Sequence, residues 1–358
     1  MQKNSIFARA KSGLKEILSG IYYFGFICKK SFYLKGISTP YKTSGAKVVS
    51  IGNISTGGCG KTPSAYQIAK EMLEKGIKVG IVLRGYGGSL KSGICTVLKD
   101  LKINSTPEIA GDESYLLAKK LEKFNNAVVV CGKKRPDAVK KCEELECSMI
   151  ILDDGLQRWD TSRNVNIILV DYTALDSRQQ LIPFGRLREF SCEALKRADI
   201  VLLTRAEFAS TELELKTRLS VFKKYCRHVY PVYFGIKEIK PFMTWMNNGK
   251  EVTTLKKLDD VGVLCAIGNP DSFINSIKDC GLVIIKKFIF SDHKDLSSEK
   301  LREILDEAED LDLFITEKDA VKLQKYADMI QYSGTRFQVV IQKTVMEGVS
   351  KCVKKLLI

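Results

Sequence analysis

Histidine is nearly absent from this sequence, with only His228 and His293, and the eleven cysteines include no CxxC pair. Cysteine- and histidine-rich metal centres are thereby excluded. The cysteines sit in apolar runs (Cys131, Cys147, Cys265) and helical stretches (Cys142, Cys280), as in a reduced, cytoplasmic protein. Long hydrophobic runs are missing as well. The greasy stretch from Ile17 to Cys28 has twelve uncharged residues, whereas a bilayer span needs about 20. No small-residue cleavage site follows it, which argues against a signal peptide. Acids are scarce at the amino end, where nine Lys and Arg through Lys47 face Glu16 alone. There is no internal repeat, no low-complexity segment and no aromatic–basic motif of the kind that reads RNA or DNA.

What is present is a soluble globular composition, 45% hydrophobic and 28% charged, over 358 residues, a length comfortable for two domains. A net charge of +15 points to anionic partners: nucleotide, nucleic acid, acidic lipid surface or phosphorylated substrate. The organising stretch is Val48 to Pro63, VVSIGNISTGGCGKTP. An apolar strand gives way to a glycine-rich turn, and Lys61 and Thr62 open a helix, as in a phosphate-binding loop. Ser55 stands where GxxxxGK[ST] places its first glycine, but the GGxGKT core is intact. Backbone amides over Ser55, Thr56, Gly57, Gly58, Cys59, Gly60, Lys61 and Thr62 would cradle a polyphosphate. Lys61 would neutralise it and the Thr62 hydroxyl would ligate Mg²⁺. Cys59 reads as a small tolerated side chain rather than a reactive thiol.

Strand and helix then alternate, predicting an α/β fold: a P-loop NTPase core with a mostly parallel sheet flanked by helices. Arg84 follows the strand Val79 to Leu83, at the carboxyl end where open α/β sheets bind ligands; it is a phosphate or substrate contact or a surface ion pair. Asp112 and Glu113 open a helix and can simply cap it. The strand Met149 to Leu152 ends in Asp153 and Asp154, where a carboxylate can reach the Mg²⁺ held by Thr62. Gln157 lies in a polar loop after it. Arg186 and Arg188, in the Pro/Gly loop Leu181 to Glu189, bind transferring phosphate or acidic substrate, or are surface charge.

Residues 230 to 255, with Asn247-Asn248-Gly249 at their centre, predict a β-hairpin bridging to a smaller carboxy-terminal α/β domain. The expected division is therefore 1–47, a basic amphipathic segment; 48–235, the P-loop core; 236–258, the hairpin linker; and 259–358, the second domain. In the first segment Leu14, Ile17, Ile21, Phe24 and Cys28 recur at helical spacing, either an interfacial membrane helix or one packed on the domain. His293, beside Asp292 at a strand end, can be a structural histidine or a positioned base.

The runs GNISTGGCGKTP, LRGYGG, GDESYLLA, DDGLQ, GRLRE, AIGNPDSF, FSDH and ITEKDAVKL occur in order along nearly the whole chain. In this the sequence resembles the tetraacyldisaccharide 4'-kinase family, inner-membrane kinases of lipid A biosynthesis. The resemblance implies transfer of the γ-phosphoryl of ATP, with Mg²⁺, to the 4'-hydroxyl of tetraacyldisaccharide 1-phosphate, giving lipid IVA. The place is the cytoplasmic face of the inner membrane, reached as a peripheral or monotopic protein docked on its anionic surface. Implied partners are that lipid precursor and membrane, with no nucleic acid and no obligate protein. Asp112, in the GDE motif, becomes the catalytic base, His293 of FSDH its partner and Lys61 the third catalytic group. Substrate contacts fall on Arg84, Glu113, Gln157, Arg186 and Arg188. Cys59, Arg158 and Lys294 depart from the Thr, His and His of many members. The alternative is a deviant P-loop switch ATPase of the metal or protein-targeting class, whose loop the GGxGKT core also suits.

Overall fold

The computed structural model describes residues 2–176, 180–254, 259–292, 294–308 and 310–357, with side chains from residue 17 onward. A helix, α1 (Gln2–Leu34), precedes β1 (Lys47–Asn53), α2 (Lys61–Leu73), β2 (Val79–Leu83), β3 (Ile94–Lys99), β4 (Lys102–Ile103), α3 (Pro107–Ala110) and α4 (Asp112–Leu121). Then come β5 (Ala127–Gly132), α5 (Arg135–Glu144), β6 (Met149–Asp153), β7 (Val165–Asp171), α6 (Ser191–Leu195), β8 (Ile200–Thr204) and α7 (Glu212–Lys223). The second half holds β9 (His228–Pro241), α8 (Phe242–Met246), β10 (Asp260–Cys265), α9 (Pro270–Asp279), β11 (Val283–Ile289) and α10 (Ser298–Ala308). It closes with β12 (Asp312–Thr316), α11 (Glu317–Leu323), α12 (Ala327–Gln331), β13 (Arg336–Val345) and α13 (Val349–Leu357).

Among the described residues thirteen strands form one sheet, in the order β11-β10-β12-β13-β9-β8-β7-β1-β6-β2-β5-β3-β4. Strands β2, β5, β6 and β8 are buried along their whole length, as apolar strands covered by helices on both faces must be. Pairing is parallel except where β9 meets β13 and where β3 meets β5 and β4. The expected P-loop α/β core is thus present, and its order sets β1 between β6 and β7.

Among the described residues the hairpin expected across 236–258 does not form. Residues 228–232 of β9 run parallel to β8, and 233–241 of the same strand run antiparallel to β13. At 233–236 the sheet narrows to two strands, β9 and residues 342–345 of β13, so the join is a ribbon whose partners lie about a hundred residues apart. Asn247-Asn248-Gly249 ends the short helix α8 instead of turning a hairpin, with Asn248 in the left-handed region at φ 56°. Phe242 and Trp245, one turn apart, bury in the second core, and that burial outweighs the local turn signal. Residues 255–258, the end of the expected hairpin, lie outside the described residues.

Two cores flank the waist, and α4 belongs to both. Its Leu117 and Leu121 pack with Met72, Ile81 and Val129, while Leu116 packs with Leu301, Leu313 and Val339. The last helix returns to the first half, where Val349 and Val353 join the core of α2. Helix α1 presents Ile17, Ile21 and Phe24 outward, Phe24 at 71% exposure. Its other side is fastened to the loop after β7: Ser19 donates to the Leu181 carbonyl (3.2 Å), Tyr22 donates to that of Arg188 (3.0 Å), and Tyr23 packs edge-on against Phe190. No helix of the described residues is long and apolar enough to cross a membrane.

Candidate active site

The phosphate loop is held open by its neighbours. Gly60 takes φ 84°, and a side chain there would run into the Phe234 ring at the waist of the sheet. Loop residues 54–56 gain a strand-like partner in 186–188: Arg188 N donates to Ile54 O (2.8 Å), Thr56 N to Arg186 O (2.6 Å), and Ser55 bridges Leu187. The Arg186 guanidinium donates back to the Thr56 carbonyl at 3.1 and 3.2 Å, so it braces the loop. Arg205 braces it from the other side, donating to Gly58 O at 2.6 Å while paired with buried Asp171. Both contacts occupy carbonyls; with the Thr56 amide given to Arg186 O and the Cys59 amide to Gly57 O, the other loop amides and the amino end of α2 remain for an anion. Cys59 is buried, and burial pushes its thiol above the ordinary value, in keeping with an unreactive packing role.

Register does the rest. Ile51 of β1 pairs with Asp153 of β6, so the aspartates emerge beside the loop. Lys61 Nζ lies 3.5 Å from Asp154 Oδ1 and donates to Asn53 Oδ1 (3.2 Å), and Arg188 donates to the same Asp154 oxygen at 2.7 Å. Burial opposes ionisation of Asp154, but Lys61 and Arg188 outweigh it and hold the carboxyl below the ordinary range. Asp153 differs. Burial, then Glu113, drives it up to about 7, and its Oδ1 has no hydrogen-bond partner among the described residues. A buried, orphaned carboxylate oxygen in the cavity that Thr62 also lines fits a hard divalent cation. The described residues contain no cluster of three or more His, Cys, Asp or Glu that would form a metal site by itself.

Across the cavity, α4 opens at Gly111, and Asp112, 6% exposed, accepts the Glu113 amide at 2.9 Å. The N-cap is Gly111 and no side chain caps the helix, so Asp112 does not act as the expected cap; it faces the second half, its Oδ2 lying 3.9 Å from Lys318 and 3.8 Å from Lys322, both on α11. Lys318 further reaches Glu113 and Asp292, each at 3.2 Å. Burial works against that ammonium, and Glu113, Asp112 and Asp292 together hold its pKa above the ordinary lysine value. His293 lies outside the described residues.

One cavity of about 480 Å³ joins these parts. Its lining includes Lys61, Thr62, Arg84, Glu113, Asp153, Asp154 and Arg188 of the expected site, with Lys318 opposite. Gln157 supports the site from behind, donating to Asn53 O (3.2 Å) and Glu189 (2.9 Å), and it lines a second groove beside α1 with Lys29 and Arg158. Sequence reasoning missed Arg205, Lys318 and Arg135. Arg135 lines the cavity while almost wholly buried, and burial lowers its pKa to about 10. Arg205 stood in plain view at the end of an apolar strand, the position that singled out Arg84.

A kinase-like donor site joined to an acidic corner can now be set beside known proteins. The profile described as Tetraacyldisaccharide-1-P 4'-kinase matches residues 13–356. The chain is 30% identical to the tetraacyldisaccharide 4'-kinase of Elusimicrobium minutum, over 92% of this chain and 86% of that protein. It is 32% identical to that of Desulfotalea psychrophila, over 85% and 86%. Among solved structures, LpxK from Aquifex aeolicus in complex with ATP is similar with a TM-score of 0.70 and 24% identity, covering 97% of this chain and 99% of that one. The match runs from within α1 to the last helix, through both cores and the cavity between them, and the chain belongs to the tetraacyldisaccharide-1-P 4'-kinase family.

Proposed function

We propose that the chain transfers the γ-phosphoryl group of ATP to the 4'-hydroxyl of tetraacyldisaccharide 1-phosphate, forming lipid IVA. The observation that carries this reading is the cavity in which the phosphate loop faces Glu113 and Lys318, with Asp112 buried directly behind them at 3.9 Å from Lys318. Phosphoryl transfer asks for alignment and charge neutralisation. Within Ser55 to Thr62 the amides other than those of Thr56 and Cys59 hold the phosphates, and Lys61 neutralises them. Asp153, Asp154 and Thr62 would hold Mg²⁺, which would supply positive charge against the transferring group. Arg84, Glu113 and Arg188, on the cavity wall, meet the acceptor's head, with Gln157 and Arg186 fixing the loops beneath. The apolar wall of Ile236, Ile267, Phe273 and Val340 suits the nucleobase.

Asp112 with His293 takes the 4'-hydroxyl proton as the phosphoryl group arrives. The exposed stripe Ile17, Ile21 and Phe24 on a basic helix supports docking at the anionic cytoplasmic face of the inner membrane, where the substrate's acyl chains reside. The chain is then divided into an anchoring segment through 47, a donor half at 48–235 and a second half from 259, joined by the β9–β13 ribbon, with the closing helix α13 packed back on the donor half. The test is incubation with radiolabelled ATP and the lipid precursor in detergent. Labelled lipid is expected; ATP hydrolysis without labelled lipid would instead favour a switch ATPase.

A further inference from the structure

We infer that Lys318 is a positioning residue that staples α4, at the turn carrying Asp112, to the loop after β11, across the two halves of the fold. This rests on the assignment of Asp112 above. Lys318 Nζ sits 3.2 Å from Glu113, the residue bonded to Asp112, and 3.2 Å from Asp292, the residue bonded to His293. Glu113 lies on α4, in the half that carries the phosphate loop, and Asp292 lies after β11 in the other half. One ammonium thus ties together two segments 179 residues apart. It is a strong tie by its setting, since Lys318 is only 15% exposed and an ion pair there is poorly screened.

The surroundings make the cation's role specific. Among the described residues the charged groups facing it include Asp112 and Glu113 on α4, Asp292 on its loop, and Asp319 and Lys322 on α11 itself, with Asp153 and Arg84 lining the same cavity. Lys322 holds Asp112 and Asp319, each at 3.8 Å. Lys318 therefore both ties the segment of Asp112 to that of Asp292 and supplies positive charge beside Asp112.

Two substitutions separate alignment from charge, read as kcat against pH with detergent-dispersed lipid substrate. Lys318→Met should lower kcat by about 10- to 100-fold, as expected for a sub-ångström to ångström misplacement, while the KM for ATP stays within about twofold. Losing the cation disfavours the ionised neighbouring carboxylate, so the acid limb of the profile should move up by about one pH unit. Lys318→Arg should recover most of kcat and restore the limb. Asp292→Asn breaks the same bridge but removes an anion, so kcat should fall while the limb moves down; this variant also decides the matter if Lys318→Met does not fold. Unchanged kcat in Lys318→Met, or a fall in kcat with an unmoved limb in both variants, overturns the staple. Asp112→Asn distinguishes the two levels: undiminished turnover there sinks the proton-acceptor assignment and the staple together, whereas lost turnover there beside normal Lys318→Met sinks the staple alone.

Discussion

The phosphate loop and the Asp112 corner face each other across one cavity, yet they are secured in different ways. The loop is held through backbone: strand-like pairing to 186–188, carbonyls capped by Arg186 and Arg205, and a glycine that admits the Phe234 ring. The acidic corner is held through side-chain charge, with Lys318 and Lys322 of one half set against Asp112 and Glu113 of the other. A backbone cradle tolerates changes of side chain, and an ion-pair corner does not. This is why the loop can carry Ser55 and Cys59 without losing its geometry.

The largest expected effect tests that contrast directly. Asp112→Ala should lower kcat by about three orders of magnitude, within the range for a lost general base, and leave ATP binding near the wild-type value. Lys61→Ala should weaken both. Steady-state kinetics beside an ATP titration checks this, and equal loss of ATP affinity in the two variants would erase the division into donor and acceptor sides. A smaller effect concerns stability. Asp153 has a folded value of about 7, above the roughly 3.9 of an unfolded aspartate, so the folded state holds its proton more tightly. Its contribution is neutral at low pH, grows unfavourable as pH rises from about 4 to 7, and stays constant above. Without added metal, Asp153→Asn should therefore gain stability relative to wild type across that window, by up to a few kcal/mol; parallel melting curves at pH 4, 6 and 8 measure it. The smallest effects lie within the loop. Gly60→Ala, strained at φ 84° and against Phe234, should cost about 1–2 kcal/mol and about tenfold in ATP affinity, whereas Cys59→Ala should leave that affinity within about twofold. Similar affinities for the two would mean that the backbone does not govern the loop.

The same contrast explains what could be read in advance. Strand, loop and helix of the donor site lie within sixteen residues, and the apolar run ending in Asp153 and Asp154 announces itself locally. Arg205 reaches Gly58 only because β8 lies two strands from β1, an order that local pattern does not contain. Lys318 was visible within ITEKDAVKL, but its meeting with α4 depends on α4 being wedged between two cores. The bridge was misjudged for a related reason. Pro231, Gly235 and Pro241 punctuate β9 as if they ended it, since proline lacks the ladder donor and glycine weakens a strand. The partner that keeps the strand continuous, β13, comes about a hundred residues later.

The two-strand waist at 233–236 carries a side chain of its own into the phosphate loop: Phe234 lies in that ribbon and rests against Gly60, so the join between the halves and the phosphate cradle share one contact. The halves also cannot be exchanged as cassettes, because a single cut in the chain severs only one of the two strands that join them, and α13 returns to pack with the core of the first half.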